Sequence, residues 1–347
     1  MRSRSARSSA WWAARSFCGC YLAKGGVLVD PLRGKPTRMG LLAAMALLCC
    51  IAYMTLDARG QWSFVIPFRG GKLLVMVLVA YCVALSSVLF QTITHNRILT
   101  PSIMGFDALY VAIQAAVVYG FGLNALSGQP PVWQFVLEAG AMAGFACLLF
   151  RWLFTGATQS LHRMMLVGIV FGLLFRSLSS FAMRLIDPNE FLVLQDRMFA
   201  SFNSVRTGLL PLAAAVALLV SLGLWRMRRR YDVVALGREI AINLGVSYRN
   251  TLLATLAGVA VLVAVATALV GPVTFLGLLV SNLAYQSMAS DRHALTVPAA
   301  VLWGVIFLVG GQTLLERVLG LSTTVSVVIE FIGGLLFLIL ILRKARP

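Results

Sequence analysis

Four charged side chains fall inside long apolar stretches: Asp107, Glu138, Arg176 and Glu330. A charge at the centre of a bilayer costs at least about 2.5 kcal/mol on insertion scales, so each of these must face protein or water. Arg176 is the most informative, because it lies well inside its stretch. As a chemical group it serves either as a cation lining the path of an anionic solute or as one half of an interhelical pair with an acid such as Glu138. A second acidic group, Asp187, Glu190 and Asp196, has the composition of a carboxylate metal site. It also has the composition of a solvated helix start, since Pro188 suits the first turn and acids suit a helix N-terminus. The second reading is preferred, with a short helix lying at the membrane surface near a substrate entrance, and no metal site is assigned.

Other chemistry is missing. Lys35 and Lys72 follow glycines, but neither sits in the G-x4-G-K-[ST] frame of a phosphate-binding loop, so this chain does not hydrolyse ATP. Neither HExxH nor GxSxG occurs, which leaves metalloprotease and serine-hydrolase chemistry without residues. The six cysteines show no metal-ligand spacing and have only three histidines for company, so they read as small buried hydrophobes. The chain is read as a non-enzyme with no cofactor of its own.

The elements that carry these residues follow from composition. Of 347 residues, 60% are hydrophobic and 12% charged, about half the charged share of an ordinary soluble domain, and the mean hydropathy is +0.88. The class is an all-α polytopic membrane protein. Apolar stretches near the ~20 residues that cross a bilayer predict ten spans: 39–57, 72–92, 103–122, 133–154, 161–185, 207–225, 251–270, 274–289, 295–315 and 325–342. The stretch 274–289 is short and reads as partly re-entrant. Residues 1–38 carry eight basic residues against the single acid Asp30 and have no uninterrupted apolar core. They read as a disordered cytoplasmic tail, or as sequence ahead of a start at Met39, and not as a secretory signal. Residues 39–347 form the membrane domain.

The net charge of +17 reflects topology and not a nucleic-acid footprint, since the basic residues cluster at span ends. With the N-terminus inside, the inner loops hold Arg97, Arg151, Arg163, the group from Arg226 to Arg249, Arg292 and the C-terminal Arg343, Lys344 and Arg346. The outer loops hold a mixed set including Asp57, Arg59, Arg69, Asp187, Glu316 and Arg317. The inside excess orients the chain with both termini in the cytoplasm. Between spans six and seven this puts Arg226–Asn250 in the cytoplasm, a polar and basic stretch in which Leu236, Ile240 and Leu244 recur at i, i+4 and i+8, on one face of a helix. Gly237 and Gly245 punctuate it. An amphipathic segment between two apolar spans offers a ridge to a soluble partner.

The same stretch carries Ala235-Leu236-Gly237, Ala241 and Leu244-Gly245-Val246, which resembles the ALGxxxAxxLGV motif of permease subunits of iron-siderophore and cobalamin ABC importers, the ten-helix type II importers. The resemblance extends over about Leu56–Arg343. It includes Gln91, then Asn96, Pro101 and Gly105 in the family's Asn-x4-Pro-x3-Gly spacing, and Gly271-Pro272-Val273-Thr274-Phe275-Leu276-Gly277-Leu278, similar to GPxxFxGL. Pro67 and Arg69 keep part of an Arg-Leu-Pro-Arg element. Departures are Ser281-Asn282 for Pro-His, Leu321-Ser322-Thr323-Thr324 for Pro-Val-Gly, and Phe199–Asn203 where Gly-Ser is common.

The resemblance implies that residues 231–249, with Ala235, Leu236, Gly237, Ile240, Ala241, Leu244, Gly245 and Val246, form coupling helices against a separate ATPase that holds ATP and Mg. It implies that Arg69 helps dock a substrate-binding protein, and that Gln91, Asn96, Pro101, Gly105, Gly271, Pro272 and Gly277 are path or structural positions, with Arg176 added from the reading above. The implied assembly is two permease chains in the bacterial inner membrane, a related heterodimer in preference to a homodimer, with two ATPase subunits, a binding protein and surrounding lipid, and no nucleic acid. The departures point to a ferric siderophore, of catecholate type, as cargo. The competing class is a gradient-driven secondary transporter of a small anionic solute, which would need ionisable residues near the midplane of several helices.

Overall fold

A computed structural model describes residues 35–56, 62–127, 130–153, 161–203, 207–317 and 324–344, except for some side chains within these stretches. The expectation for the basic tail therefore lies outside the described residues up to position 34, as does the departure at 321–323. The chain divides into two compact units, Met1–Arg38 and Met39–Pro347. Of the first, only Lys35–Arg38 is described, as the opening turn of a helix.

Among the described residues every regular element is helical. In chain order they are α1 (Lys35–Thr55), α2 (Trp62–Thr94), α3 (Phe106–Ser127), α4 (Pro131–Leu153), α5 (Leu161–Leu185), α6 (Pro188–Arg197), α7 (Leu210–Arg226), α8 (Arg228–Val234), α9 (Arg238–Asn243), α10 (Tyr248–Val270), α11 (Leu276–Met288), α12 (His293–Arg317) and α13 (Val325–Lys344). Each of the ten expected spans coincides with a helix. Seven of them, α1, α2, α4, α5, α7, α10 and α12, are long and apolar enough to cross a membrane. Of the others, α13 is a continuous helix of 20 residues, while α3 and α11 are shorter in their regular part. α3 is interrupted at Gly122 (φ 71°), and α11 has 13 residues, about 20 Å of helix against a hydrocarbon core of about 30 Å. The stretch expected to be short at 274–289 is thus a helix about two thirds as long as the hydrocarbon core is thick.

The architecture is centred on α10 and α2. Their apolar windows are 72% and 67% buried, against 17% for α1 and 22% for α4 and α5. α10 packs on α2, α4 and α7, while α12 packs on α2, α11 and α13, and α3 pairs with α5. Small residues set these approaches, as expected where van der Waals contact, and not water exclusion, holds helices together. Gly258 of α10 receives Leu224 of α7, and Gly304 of α12 receives Ala80 of α2. Backbone meets backbone most closely at Gly105 against Gly172: a Cβ on Gly105 would stand 2.6 Å from the Gly172 Cα.

Gly105 also has φ 93°, a conformation that costs an L-residue roughly 1–2 kcal/mol. Gly105→Ala should therefore lower the thermal midpoint of the purified chain by several degrees, at about 2–4 °C per kcal/mol. Gly140→Ala, inside α4 where a Cβ meets nothing within 4 Å, should instead hold or slightly raise it.

Candidate functional site

The contacts sort the connections into two faces. On one, Arg97, after α2, pairs with Asp291, between α11 and α12, at 2.6 Å, and Asp232 of α8 pairs with His293 at the start of α12. On the other, Arg69 of α2 and Arg317 of α12 both donate to the Leu56 carbonyl after α1, at 2.7 and 2.8 Å. The segment from Arg226 to Asn250 belongs to the first face.

That segment is not the single helix expected over 236–246. α8 ends at Val234, Gly237 (φ 112°, ψ 160°) interrupts the chain, and α9 runs only from Arg238 to Asn243 before Gly245 (φ 79°). Non-glycine residues rarely adopt those φ values, so the two glycines break what the i, i+4, i+8 spacing would otherwise continue. Ala241 is fully buried, and Val246 is half-buried with its N–H donating to the Ala241 carbonyl at 3.0 Å. Ala235 and Gly245 are exposed. Leu236, Ile240 and Leu244 are 59%, 48% and 61% exposed. Ala241 is thus the inward point of α9, and the three larger apolar side chains project away from the chain's own helices.

α8 is held by a buried histidine. Asp232 Oδ1 accepts from the backbone N–H of His293 at 3.1 Å and from its Nδ1 at 2.6 Å. The Nε2 of the same ring shares a 2.8 Å hydrogen bond with Thr92 Oγ1 near the end of α2. Tyr231 packs its ring 5.7 Å from the imidazole. His293 is 4% exposed, so one side chain ties α8 to α2 and α12 out of reach of water. It borders a cleft of about 440 Å³ shared with His95, Ala235, Leu236, Tyr285 and Arg292. Burial pushes the His95 imidazole below its ordinary range. None of Thr92, Asp232 and His293 was singled out from sequence. The available signal was that His293 is one of three histidines in the chain and opens an apolar span.

The motif residues between α2 and α3 build a turn that re-enters the helix layer. Gln91 Nε2 donates to the Arg97 carbonyl at 2.9 Å, and Asn96 Oδ1 accepts from the Ile98 N–H at 2.9 Å. Pro101 opens a 3₁₀ turn, Ser102–Met104, that ends at Gly105. Asn282 of α11, where relatives were expected to have a different pair, donates to the same Arg97 carbonyl at 3.1 Å. Gly271 (φ 95°) ends α10 with no room for a side chain, the Phe199 carbonyl lying 3.1 Å from where a Cβ would be. Pro272 follows, buried, in the non-helical link to α11. Gly277 lies directly against Ser87 of α2.

On the opposite face Arg69 is half-buried, and its Nη1 also approaches the Tyr53 and Met54 carbonyls at 3.3 and 3.5 Å. It closes the C-terminus of α1. Tyr53 donates to Glu316 at 3.4 Å, and Gln312 donates to Glu316 at 2.6 Å and to Asn203 at 2.9 Å. α6 starts as expected: Asp187 caps it by accepting from the Asn189 N–H at 2.9 Å, with Pro188 at the first turn. Among the described residues no three potential ligands gather into a metal site, and the Asp196 side chain is outside those residues. Beside α6 opens a pocket of about 330 Å³ lined by Tyr110, Gln134, Glu138, Arg197, Ser201 and Gly271 among others.

The expected pair of Arg176 with Glu138 is not formed. Arg176 is exposed on α5, with buried Asp107 in electrostatic reach, whereas Glu138 lines the pocket beside α6. Periodicity could place Arg176 within a span but not on which side of it.

Ten apolar helices with a glycine-broken polar hinge on one face define a polytopic permease. A solved ABC transporter of the metal-chelate type, in an inward-facing conformation, shares the fold with a TM-score of 0.78 over 88% of this chain and 99% of that one, at 21% identity. The chain belongs to the FecCD transport family, which it matches over residues 41–343. It is 43% identical over 309 residues, 89% of this chain and 98% of the relative, to the petrobactin import system permease protein YclO of Bacillus subtilis. Identity is 35% over 306 residues, 88% of this chain and 86% of the relative, to the petrobactin import system permease protein FatC of Bacillus anthracis. It is 27% over 291 residues, 82% and 83% of the two chains, to the ferric enterobactin permease FepD of Escherichia coli. The chain is therefore a multi-pass transport permease and not itself an enzyme.

His293→Ala removes the ring bonds to Thr92 Oγ1 and Asp232 Oδ1 while Thr92 keeps the Val88 carbonyl and Asp232 keeps the backbone N–H of residue 293, so the cost is that of two buried hydrogen bonds, about 1–3 kcal/mol. A melt of the purified protein should show that loss, with His293→Gln retaining part of it; equal midpoints for wild type and His293→Ala would remove the link.

Proposed function

We propose that the chain is the membrane permease of an ATP-driven importer that carries a ferric siderophore of the catecholate class. The carrying observation is the exposed apolar ridge Leu236, Ile240 and Leu244 on a hinge anchored through His293. Exposed large apolar residues grouped on a soluble loop mark a protein contact, and a chain without a nucleotide site needs its energy from a partner. ATPase subunits holding ATP and Mg would dock there, which makes this face cytoplasmic with both termini on it. The basic side chains of the connections on that face agree with this orientation. The names of the two Bacillus relatives favour ferric petrobactin as the first cargo to try.

A second permease chain, related in preference to identical, would complete the path. A substrate-binding protein would approach the opposite face, where Arg69 and Arg317 lie together at Leu56. Movement of α8 and α9 on ATP binding would reach α2 and α12 through His293, in the manner of packed elements that shift as units. Recognition of the complex would then fall mainly to the binding protein.

Ile240→Glu places a charge on the ridge without entering the core, since Ile240 is 48% exposed. The expected outcome is normal membrane insertion, loss of ATPase co-purification and at least a tenfold drop in ferric-petrobactin uptake. Uptake that survives ATP depletion but collapses with a protonophore would instead establish a gradient-driven transporter.

A further inference from the structure

The face that carries α8 also holds an apolar groove that shares Tyr231 and His293 with the hinge at its inner end. The groove, about 450 Å³, runs between α2, α7 and α12, with Met39 of α1 at its edge, within the ~300–1,000 Å³ of small-molecule sites. Leu85, Leu89, Leu224 and Val301 supply hydrocarbon wall. Ser221 interrupts it: this residue is 6% exposed, and its hydroxyl has no hydrogen-bond partner. A helical serine ordinarily donates back to the carbonyl four residues earlier, so Ser221 leaves a donor in an otherwise apolar wall. One turn further on, Trp225 carries the Arg228 guanidinium 5.1 Å from its ring centroid. Arg226, Arg229 and Arg230 adjoin, all exposed, and among the described residues none of the four arginines is in an ion pair.

We infer that this groove binds one anionic phospholipid from the adjoining leaflet, its acyl chain against the leucine wall, an ester oxygen at Ser221 and its phosphate at Arg228. The order along α7, hydrocarbon, then one neutral donor, then uncompensated cations, is the order of groups along a phospholipid. Tryptophan at the boundary suits the headgroup level, and basic pockets between transmembrane helices favour acidic headgroups. A zwitterionic headgroup would bring an ammonium to four guanidiniums. The chain's own residues 1–34 would bring six more basic side chains against a single acid, so charge complementarity selects lipid over that segment.

The test uses the full chain purified in neutral detergent, with thermal midpoints and native mass spectra recorded after adding phosphatidylglycerol, phosphatidylcholine of the same acyl chains, or inorganic phosphate. Phosphatidylglycerol should raise the midpoint and saturate near one retained lipid, bound roughly fivefold more tightly for each arginine engaged. Replacing Arg226, Arg228, Arg229 and Arg230 together by Gln should erase the preference over phosphatidylcholine without changing the lipid-free midpoint. Leu302→Trp, which fills the groove from a half-buried position, should reduce retention of both lipids. Equal stabilisation by the two lipids, a shift reproduced by phosphate alone, or a preference that survives in the quadruple variant would overturn the inference. So would lipid binding that appears only once residues 1–34 are removed, since the groove would then belong to that segment.

Discussion

A peptide group left without a partner in hydrocarbon costs several kcal/mol, and three of the described helix ends are arranged around that cost. Where α10 stops, the Val270 carbonyl accepts from the Ser201 N–H at 2.9 Å. Where α2 stops, the Arg97 carbonyl accepts from two side-chain amides, Gln91 and Asn282. Where α1 stops, two guanidiniums converge on the Leu56 carbonyl. The end of α10 is thus satisfied from within the fold, and the ends of α1 and α2 are closed by side chains. Glycines at 105, 271 and 277 stand where a Cβ would press on Gly172, Phe199 and Ser87.

The same economy shapes the hinge. A soluble loop could satisfy α8 with water, but here one imidazole, buried on all sides but one, links α8 to the ends of α2 and α12. Because α2 and α12 are also the elements against which α10 and α11 pack, a displacement of α8 is delivered to the centre of the bundle and not to its rim. Gly237 and Gly245 place the two positive-φ breaks at the ends of α9, so the chain turns on either side of that short helix.

Most of the fold was legible in the sequence, because a bilayer enforces one rule on every span: about twenty apolar residues, flanked by polar ones. Each of the ten expected spans coincides with a helix for that reason. The site was legible only in part. The i, i+4, i+8 pattern of Leu236, Ile240 and Leu244 correctly grouped three residues that share exposure, yet it implied a continuous helix, since periodicity carries no information about the positive φ of Gly237. Arg69 read as a surface cation because its acceptors, the carbonyls closing α1, are backbone groups that sequence does not show. His293, Asp232 and Thr92 are 61 and 201 positions apart along the chain from one to the next pairing. No local pattern can relate them.

Arg176 carries the last step. Its helix, α5, turns Leu173, Leu174, Leu178 and Phe181 outward, a surface that alone would suit lipid. A guanidinium in the same outward set does not suit it, at a cost of at least about 2.5 kcal/mol in hydrocarbon. Asp107 offsets part of that from within the fold, but it is buried on the other side of the contact between α3 and α5 and cannot solvate the exposed end of the arginine. The α5 face is therefore one that another protein surface or a water-filled path must cover. The groove at Ser221, mostly hydrocarbon with the Arg228 cation at its mouth, has a different distribution of charge with depth. The two faces differ in what can cover them: protein or water at α5, lipid beside α7.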